Sequence, residues 1–181
     1  MRKIFLAAFC FIIFSANICC AIEKNEFSLG GITPDMTYND IIARYGEPTE
    51  KLKGYAQLVS SVIMYGDSVE FGFIGRNDPK ITYVVVTKNN GWTTPSNIHV
   101  GMPIDDVIEI YGSDYSTRVR KQSDIHQWMI DSGEPYYEYH WFGTEYTWKY
   151  FINAELSYAL SVVENDGKVT AIKLRRLIPE H

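Results

Sequence analysis

The sequence predicts an α+β protein of two tandem helix-plus-antiparallel-sheet repeats, which form one continuous sheet with helices on one face and an open opposite face. Residues 32–46 recur 66 positions later as residues 98–112. Both copies space their apolar residues as on one stripe of a helix and then end in Tyr-Gly. Runs of alternating apolar and polar residues follow, as in half-buried strands. The predicted boundaries are a signal peptide at 1–21, a first repeat at 22–88, a linker at 89–96 and a second repeat at 97–181.

The N-terminus has the pattern of a secretory signal. Arg2 and Lys3 precede an apolar run over residues 4–14, and small residues occupy positions −3 and −1 of a cut after Ala21. The run is shorter than the roughly 20 residues that span a bilayer. We therefore expect export, to the periplasm or outside the cell. Lipid anchoring at Cys19 or Cys20 is the alternative.

Composition excludes several classes of function. All three cysteines, at positions 10, 19 and 20, lie in the predicted signal, so the exported chain has no thiol for catalysis, disulfides or metal binding. Loss of Arg2 and Lys3 leaves 15 basic and 22 acidic residues, a net charge of −7. An acidic chain argues against binding to nucleic acid or anionic membranes.

The first repeat begins with residues 22–28, which are polar enough to be a loose lead-in. A helix is predicted over 38–45, with Thr37 as N-cap and Asp40 as its capping-box partner. Strands are predicted over 58–65, 68–74 and 81–87, which are rich in Val, Ile, Phe and Tyr.

The second repeat has Pro103 where the first has Thr37, followed by Asp105 and Asp106. These carboxylates complement the helix dipole, which explains them better than an acid/base pair does. The helix ends before Gly112. Asn165-Asp166-Gly167 predicts a tight hairpin in the last part of the chain.

Strand alternation predicts the two faces of the sheet. Val84 and Val86, which correspond to Ile172 and Leu174, are expected to face the helices. Tyr83 then faces the opposite way, together with Val85 and the corresponding residues 171 and 173. That second face is mixed in composition, as protein-binding surfaces often are.

Residues 136–151 have the most unusual composition, with nine aromatic residues in sixteen. They lie in a part of the second repeat that is 22 residues longer than its counterpart. Residues 142–144 are the expected turn between two strands. The alternation along each strand then places several of its aromatic side chains on the same face. The predicted binding residues are Tyr137, Tyr139, Trp141, Tyr146, Trp148, Tyr150 and Tyr83. Some of these aromatics are expected to fill the interface between the repeats instead.

Short motifs carry a resemblance to known families. They are, in the second copy, Val100-Gly101-Met102-Pro103, Asp106-Val107 and Tyr111-Gly112, and in the first, Met36-Thr37, Asp40-Ile41 and Tyr45-Gly46-Glu47-Pro48. The repeat resembles the small outer-membrane-assembly lipoproteins of the SmpA/OmlA (BamE) type, and two such units in tandem resemble the β-lactamase inhibitor protein architecture. The resemblance implies a helical layer on one face of an antiparallel sheet, with the other face used to bind protein.

No arrangement of residues indicates catalysis. The histidines, His99, His126, His140 and His181, have no ligand spacing on one element. Glu138 could orient His140 for acid/base work, but solvated strand polarity is the favoured explanation of the pair. We predict an exported, non-enzymatic protein-binding module of the bacterial cell envelope, without cofactor, metal or catalytic residues. The alternatives are a carrier of small hydrophobic ligands and a hydrolase-type enzyme.

Overall fold

One antiparallel sheet forms the frame against which both helices pack. The computed structural model describes residues 22–56, 59–75, 79–121 and 145–177. The elements are α1 Tyr38–Tyr45, β1 Glu50–Ala56, β2 Val59–Tyr65, β3 Val69–Ile74, β4 Lys80–Val86, α2 Ile104–Tyr111, β5 Ser116–Lys121, β6 Glu145–Asn153, β7 Tyr158–Asn165 and β8 Lys168–Arg176. The eight strands pair in the order β1-β2-β3-β4-β8-β7-β6-β5, every neighbouring pair antiparallel. The predicted α+β class is confirmed.

Each helix begins after an N-cap residue and ends before a glycine. Thr37 Oγ1 accepts the backbone N–H of Asp40 at 3.4 Å, and the Asp40 carboxylate accepts the backbone N–H of Thr37 at 2.8 Å. The second helix has Pro103 at its N-cap and two aspartates in its first turn, near the positive end of the helix dipole. Gly46 and Gly112 end the helices with φ of +79° and +81°, a conformation that glycine adopts without a Cβ clash. The predicted bounds of α1 and its capping box are confirmed.

The helices cover the first face of the sheet and enclose the larger part of the core. Ile41 of α1 and Val107 of α2 have no exposed surface. They belong to one buried cluster with Val84 and Val86 of β4. Other members are Phe71, Phe73, Phe151, Leu160, Val162, Ile172 and Leu174. The predicted orientation of β4 toward the helices is therefore confirmed.

Ile22 and Phe27 of the N-terminal segment 22–28 belong to this core, so the expectation of a loose lead-in is wrong. Ile22, Phe27 and Glu26 are 8%, 2% and 9% exposed. The Phe27 ring lies 6.0 Å from the Tyr158 ring, measured between centroids. Residues 23–25 are exposed, and their polarity hid the buried residues on either side of them.

The last tyrosine of each helix ties this N-terminal segment to the fold. Tyr45 donates to the carbonyl of Gly30 at 2.9 Å, and Tyr111 donates to Glu26 Oε2 at 2.7 Å. Both tyrosines are half-buried, in keeping with their polar tips. Trp92 of the linker stacks on Tyr45 at 5.1 Å. A Cβ atom on Gly30 would lie 2.4 Å from the Trp92 ring, so this contact requires glycine.

The predicted hairpin in the last part of the chain is confirmed. Asn165 ends β7 and pairs with Lys168 at the start of β8. Asp166 and Gly167, between them, have φ of +50° and +72°. Positive φ at both central residues is the property of a type I′ turn, which matches the twist of antiparallel strands.

Candidate binding face

The sheet brings together four of the seven residues predicted for binding. Tyr83 lies on β4, and Tyr146, Trp148 and Tyr150 lie on β6. Their side chains are on the second face, opposite the helices. Tyr137, Tyr139 and Trp141, together with the predicted turn at 142–144, lie outside the described residues.

Much of the second face is buried, which corrects the expectation of an open face. Tyr83, Tyr146 and Trp148 are 4%, 3% and 4% exposed. They form a second apolar cluster with Val59, Val62, Val85, Val163 and Ala171, with Leu52 and Tyr150 packed against it. Alternation identified the correct face, but it does not tell whether large aromatic rings on a face lie buried or exposed.

Aromatic stacking organises the β6 side of this cluster. The Trp148 ring stacks on the Tyr150 ring at 5.9 Å with 24° between the planes. It meets the Tyr146 ring edge-on at 6.2 Å. Offset stacking and edge-on contact are the preferred arrangements of aromatic pairs. The ring of the half-buried Tyr150 therefore packs against the buried ring of Trp148.

Tyr83 holds the centre of the face. Its ring lies on Gly72 of β3, where an added Cβ atom would come within 2.2 Å of the ring. Its hydroxyl donates to the carboxylate of Glu70, a side chain that is only 1% exposed. Glycine at position 72 therefore allows a tyrosine to lie flat across the sheet and meet a buried carboxylate.

Two cations of β8 lie over these rings. Lys173 Nζ is 4.6 Å from the centroid of the Tyr83 ring and 5.8 Å from that of Trp148. The guanidinium carbon of Arg175 is 5.4 Å from the centroid of Tyr150. Ring faces attract cations, so both side chains are held close to the face. The sequence prediction assigned position 173 to this face but did not include Lys173 or Arg175 among the binding residues. The same alternation continues to position 175.

Small residues separate the aromatic and cationic groups. Ala159, Ser161 and Ala171 have no exposed surface. Ser161 is paired with Tyr150 on one side and with Lys173 on the other. Its Oγ is buried and has no hydrogen-bond partner among the described residues. Buried hydroxyls normally have a partner, so this one needs a specific explanation.

Five residues on the β5–β8 side of this face form a mixed, accessible patch, the second-face patch. Its members are Arg118, Tyr150, Ile152, Lys173 and Arg175. Arg118 is exposed, Ile152 is 44% exposed, and the other three are half-buried. Three of the five are cationic, whereas the whole chain has a net charge of −5. The patch therefore differs in sign from the chain as a whole.

A concavity of about 400 Å³ lies near the N-terminal segment. Glu26, Ser96 and Tyr111 contribute to its lining. The Glu26 carboxylate accepts from the Ser96 N–H, the Ser96 hydroxyl and the Tyr111 hydroxyl, at 3.2, 2.9 and 2.7 Å. Burial raises the pKa of Tyr111; Thr94 at 2.9 Å opposes that shift and Glu26 adds to it. Both oxygens of Glu26 are thus engaged in joining distant parts of the chain.

The described residues contain no group of three His, Cys, Asp or Glu side chains that could hold a metal ion. His99 lies there, with Nδ1 2.9 Å from the carbonyl of Asn97. His126, His140 and His181, and Glu138 with them, lie outside these ranges. Within the same ranges, no helix has both the length and the apolar character to cross a membrane.

Comparison with known proteins gives no family. No family model and no curated protein matches the chain. An extracellular protein containing a SCP domain from Bacillus anthracis str. Ames is similar at 11% identity and a TM-score of 0.45, over 80% of this chain and 47% of that one. The DUF4309 family protein YjgB from Bacillus subtilis subsp. subtilis str. 168 is similar at 14% identity and a TM-score of 0.43, over 77% and 78%. The chain thus spans about half the length of the first protein, and no activity or partner is carried over from either.

Proposed function

We propose that the chain is an exported, non-enzymatic module of the bacterial cell envelope that binds a protein partner through its second face. The observation that carries this function is the second-face patch, in which partly exposed cationic and aromatic side chains lie on buried aromatic rings. Aromatic residues and arginine are enriched at the energetic centres of protein interfaces. Stacking on Trp148 and the ring contacts of Lys173 restrict these side chains before a partner arrives, which lowers the entropic cost of binding.

We infer that the two halves of the chain are copies of one unit. Among the described residues, each half has an eight-residue helix that ends at a glycine, followed by four antiparallel strands. The halves join where β4 pairs with β8, and Tyr83 there lies opposite Arg175. All five residues of the patch come from the second half, and Tyr83 of the first half lies under Lys173. The second half alone would therefore lack one of the rings that support the patch.

A carrier of small hydrophobic ligands is the second candidate. Tyr83, Tyr146 and Trp148 are almost fully buried, as the lining of an enclosed apolar site would be. In that case the second face would bind a small apolar molecule and not a protein. The exposed side chains of Ile152 and Arg118 favour a protein partner, because an enclosed apolar site would not include exposed residues of this kind.

Affinity capture with matched variants tests the protein-binding function. The tagged chain, without residues 1–21, is used to capture proteins from the envelope fraction of the producing cell, and the affinity of any captured protein is then measured. We expect Tyr150→Ala to weaken binding by about 2 kcal/mol, close to 30-fold, because it removes a ring anchor. Ile152→Ser should also weaken it. Ile110→Ser is the matched control, since Ile110 is also 44% exposed but lies on α2.

Equal affinity of all three variants would rule out the second face as the interface. Displacement of the captured protein by a small apolar molecule would favour the carrier function instead. Melting curves of each variant confirm that the fold is intact.

A further inference from the structure

We propose that the concavity beside the N-terminal segment binds a small organic cation, an aliphatic ammonium, with Glu26 as its counter-ion. The concavity measures about 400 Å³, which is within the usual range of small-molecule sites. Glu26, Ile110 and Tyr111 all contribute to its lining. Because α2 packs on the first face, this site is separate from the second face and does not depend on the protein-binding function proposed above.

Glu26 carries a buried charge that is balanced only by neutral groups. The residue is 9% exposed, and its three hydrogen bonds come from the Ser96 N–H, the Ser96 hydroxyl and the Tyr111 hydroxyl. The ion pairs formed within the described residues do not include it. Lys24, two positions earlier, is exposed and does not line the concavity. Buried charges in proteins are normally paired, and a cation in the concavity can reach this carboxylate.

The first repeat has a cation of its own at the corresponding place. The guanidinium carbon of Arg44 lies 5.7 Å from the centroid of the Tyr45 ring, and Nη1 donates to the carbonyl of Gly31 at 3.1 Å. The 66-residue offset of the repeat places Ile110 at the position of Arg44 and Tyr111 at that of Tyr45. The second copy therefore has a carboxylate beside its tyrosine and an isoleucine in place of the cation.

The walls of the concavity suit an alkyl chain that ends in a positive charge. Ile110 is 44% exposed, and Ile22 supplies a second aliphatic side chain. Covering such surface with a ligand's methylene groups is favourable. The half-buried ring of Tyr111 attracts a cation, as the ring of Tyr45 attracts Arg44 in the first repeat. A ligand with both an apolar part and a charge can use all of these groups.

The hydrogen bonds of Glu26 favour an ammonium over a guanidinium or a metal ion. A carboxylate has about four lone-pair sites, and three donors already bind to this one. An ammonium needs only one further acceptor, whereas a guanidinium binds best through two parallel bonds. Calcium and magnesium ions need several oxygen ligands, and the described residues contain no group of three acidic or metal-binding side chains.

Titration of the chain without residues 1–21 with pentylamine and with 1-pentanol tests the site, with calorimetry as the measurement. The alcohol has the same alkyl chain without the charge. At neutral pH we expect the amine to bind at least about tenfold more tightly, because only the amine forms a charge-assisted bond with the carboxylate. Glu26→Gln should bring the two affinities together, and a melting curve confirms that this variant is folded.

Replacing Ile110 gives a second test at an exposed position. Ile110→Arg should abolish amine binding, since its guanidinium would take the place that Arg44 takes in the first repeat. Ile110→Met, which is neutral, should keep the preference for the amine. Val119→Arg is the matched control for the added charge, because Val119 is 54% exposed but lies on β5. It should leave amine binding unchanged.

Several results would overturn the ammonium site. They are equal binding of amine and alcohol, undiminished amine binding in Ile110→Arg or in folded Glu26→Gln, and no binding of pentylamine at millimolar concentration. Amine binding that requires acetylation of the Ile22 α-amino group would show that the chain's own N-terminus fills the concavity. Tighter binding of N-acetyl-lysine-amide than of pentylamine would overturn the choice of a free amine and assign the concavity to a lysine side chain of another protein.

Discussion

The two faces of the sheet bury side chains of different kinds. The first face packs aliphatic side chains and phenylalanines against α1 and α2. The second face buries tyrosines and a tryptophan, with a carboxylate and two cations held among them. Burial alone therefore does not distinguish a structural face from a recognition face. The difference lies in the kind of side chain, because the second face places cations over its buried aromatic rings.

Several polar groups at the margin of the first face join distant segments, although the buried Nε of Arg176 has no partner among the described residues. Glu26 is surrounded by donors from Ser96 and Tyr111. Asp35 accepts from Tyr158 at 2.6 Å and from Arg176 at 3.2 Å. These bonds join segments that are far apart in the chain. We infer that this margin serves to hold the N-terminal segment in place.

The largest effect on stability is expected from Trp148→Ala, which tests whether the second face is also core. Trp148 is 4% exposed and contacts Tyr146 and Tyr150. Its removal should lower the free energy of unfolding by about 3 to 5 kcal/mol, through lost burial and an unfilled cavity. Denaturant titration measures the loss, with Trp148→Phe as a milder control. If the variant were as stable as the parent chain, the second face would be open, as the sequence predicted.

Truncation of the first face should affect stability without changing binding. Ile41 of α1 and Val107 of α2 are fully buried. Ile41→Ala and Val107→Ala should each cost about 1 to 4 kcal/mol. The affinity of these two variants for the partner should equal that of the parent chain at a temperature where they remain folded. A loss of affinity comparable to that of Tyr150→Ala would show that the two faces do not act separately.

The smallest effect is expected at the ends of the helices. Tyr111→Phe removes a donor to the buried carboxylate of Glu26 and should cost about 1.5 to 3 kcal/mol. Tyr45→Phe removes a bond to the neutral carbonyl of Gly30 and should cost about 0.5 to 1.5 kcal/mol. Thermal melts of the pair measure the difference. Equal losses would mean that the charge of Glu26 adds nothing to the attachment of the N-terminal segment.

The sequence was sufficient to predict those elements whose structure is determined by a few neighbouring residues. The capping residues of α1, the Asp-Gly turn and the period-two pattern of β4 each act within a few residues, so their outcome could be predicted. The edge strands β1 and β5 were missed. Both carry several charged residues, as strands at a sheet edge often do, and such residues weaken the alternation from which strands are recognised.

The sequence by itself determined the α+β class, the helix bounds and the face on which Tyr83 and Trp148 lie, because helix and strand periods are properties of the local chain. Only the tertiary structure decided that these aromatics are buried and that Lys173, Arg175 and Ser161 lie beside them. Those relations depend on the pairing of β4 with β8, which joins residues distant in sequence, and on the pairing of the consecutive strands β6, β7 and β8. The partner of a strand depends on the packing of the whole sheet, so the residues of the strand alone do not specify it.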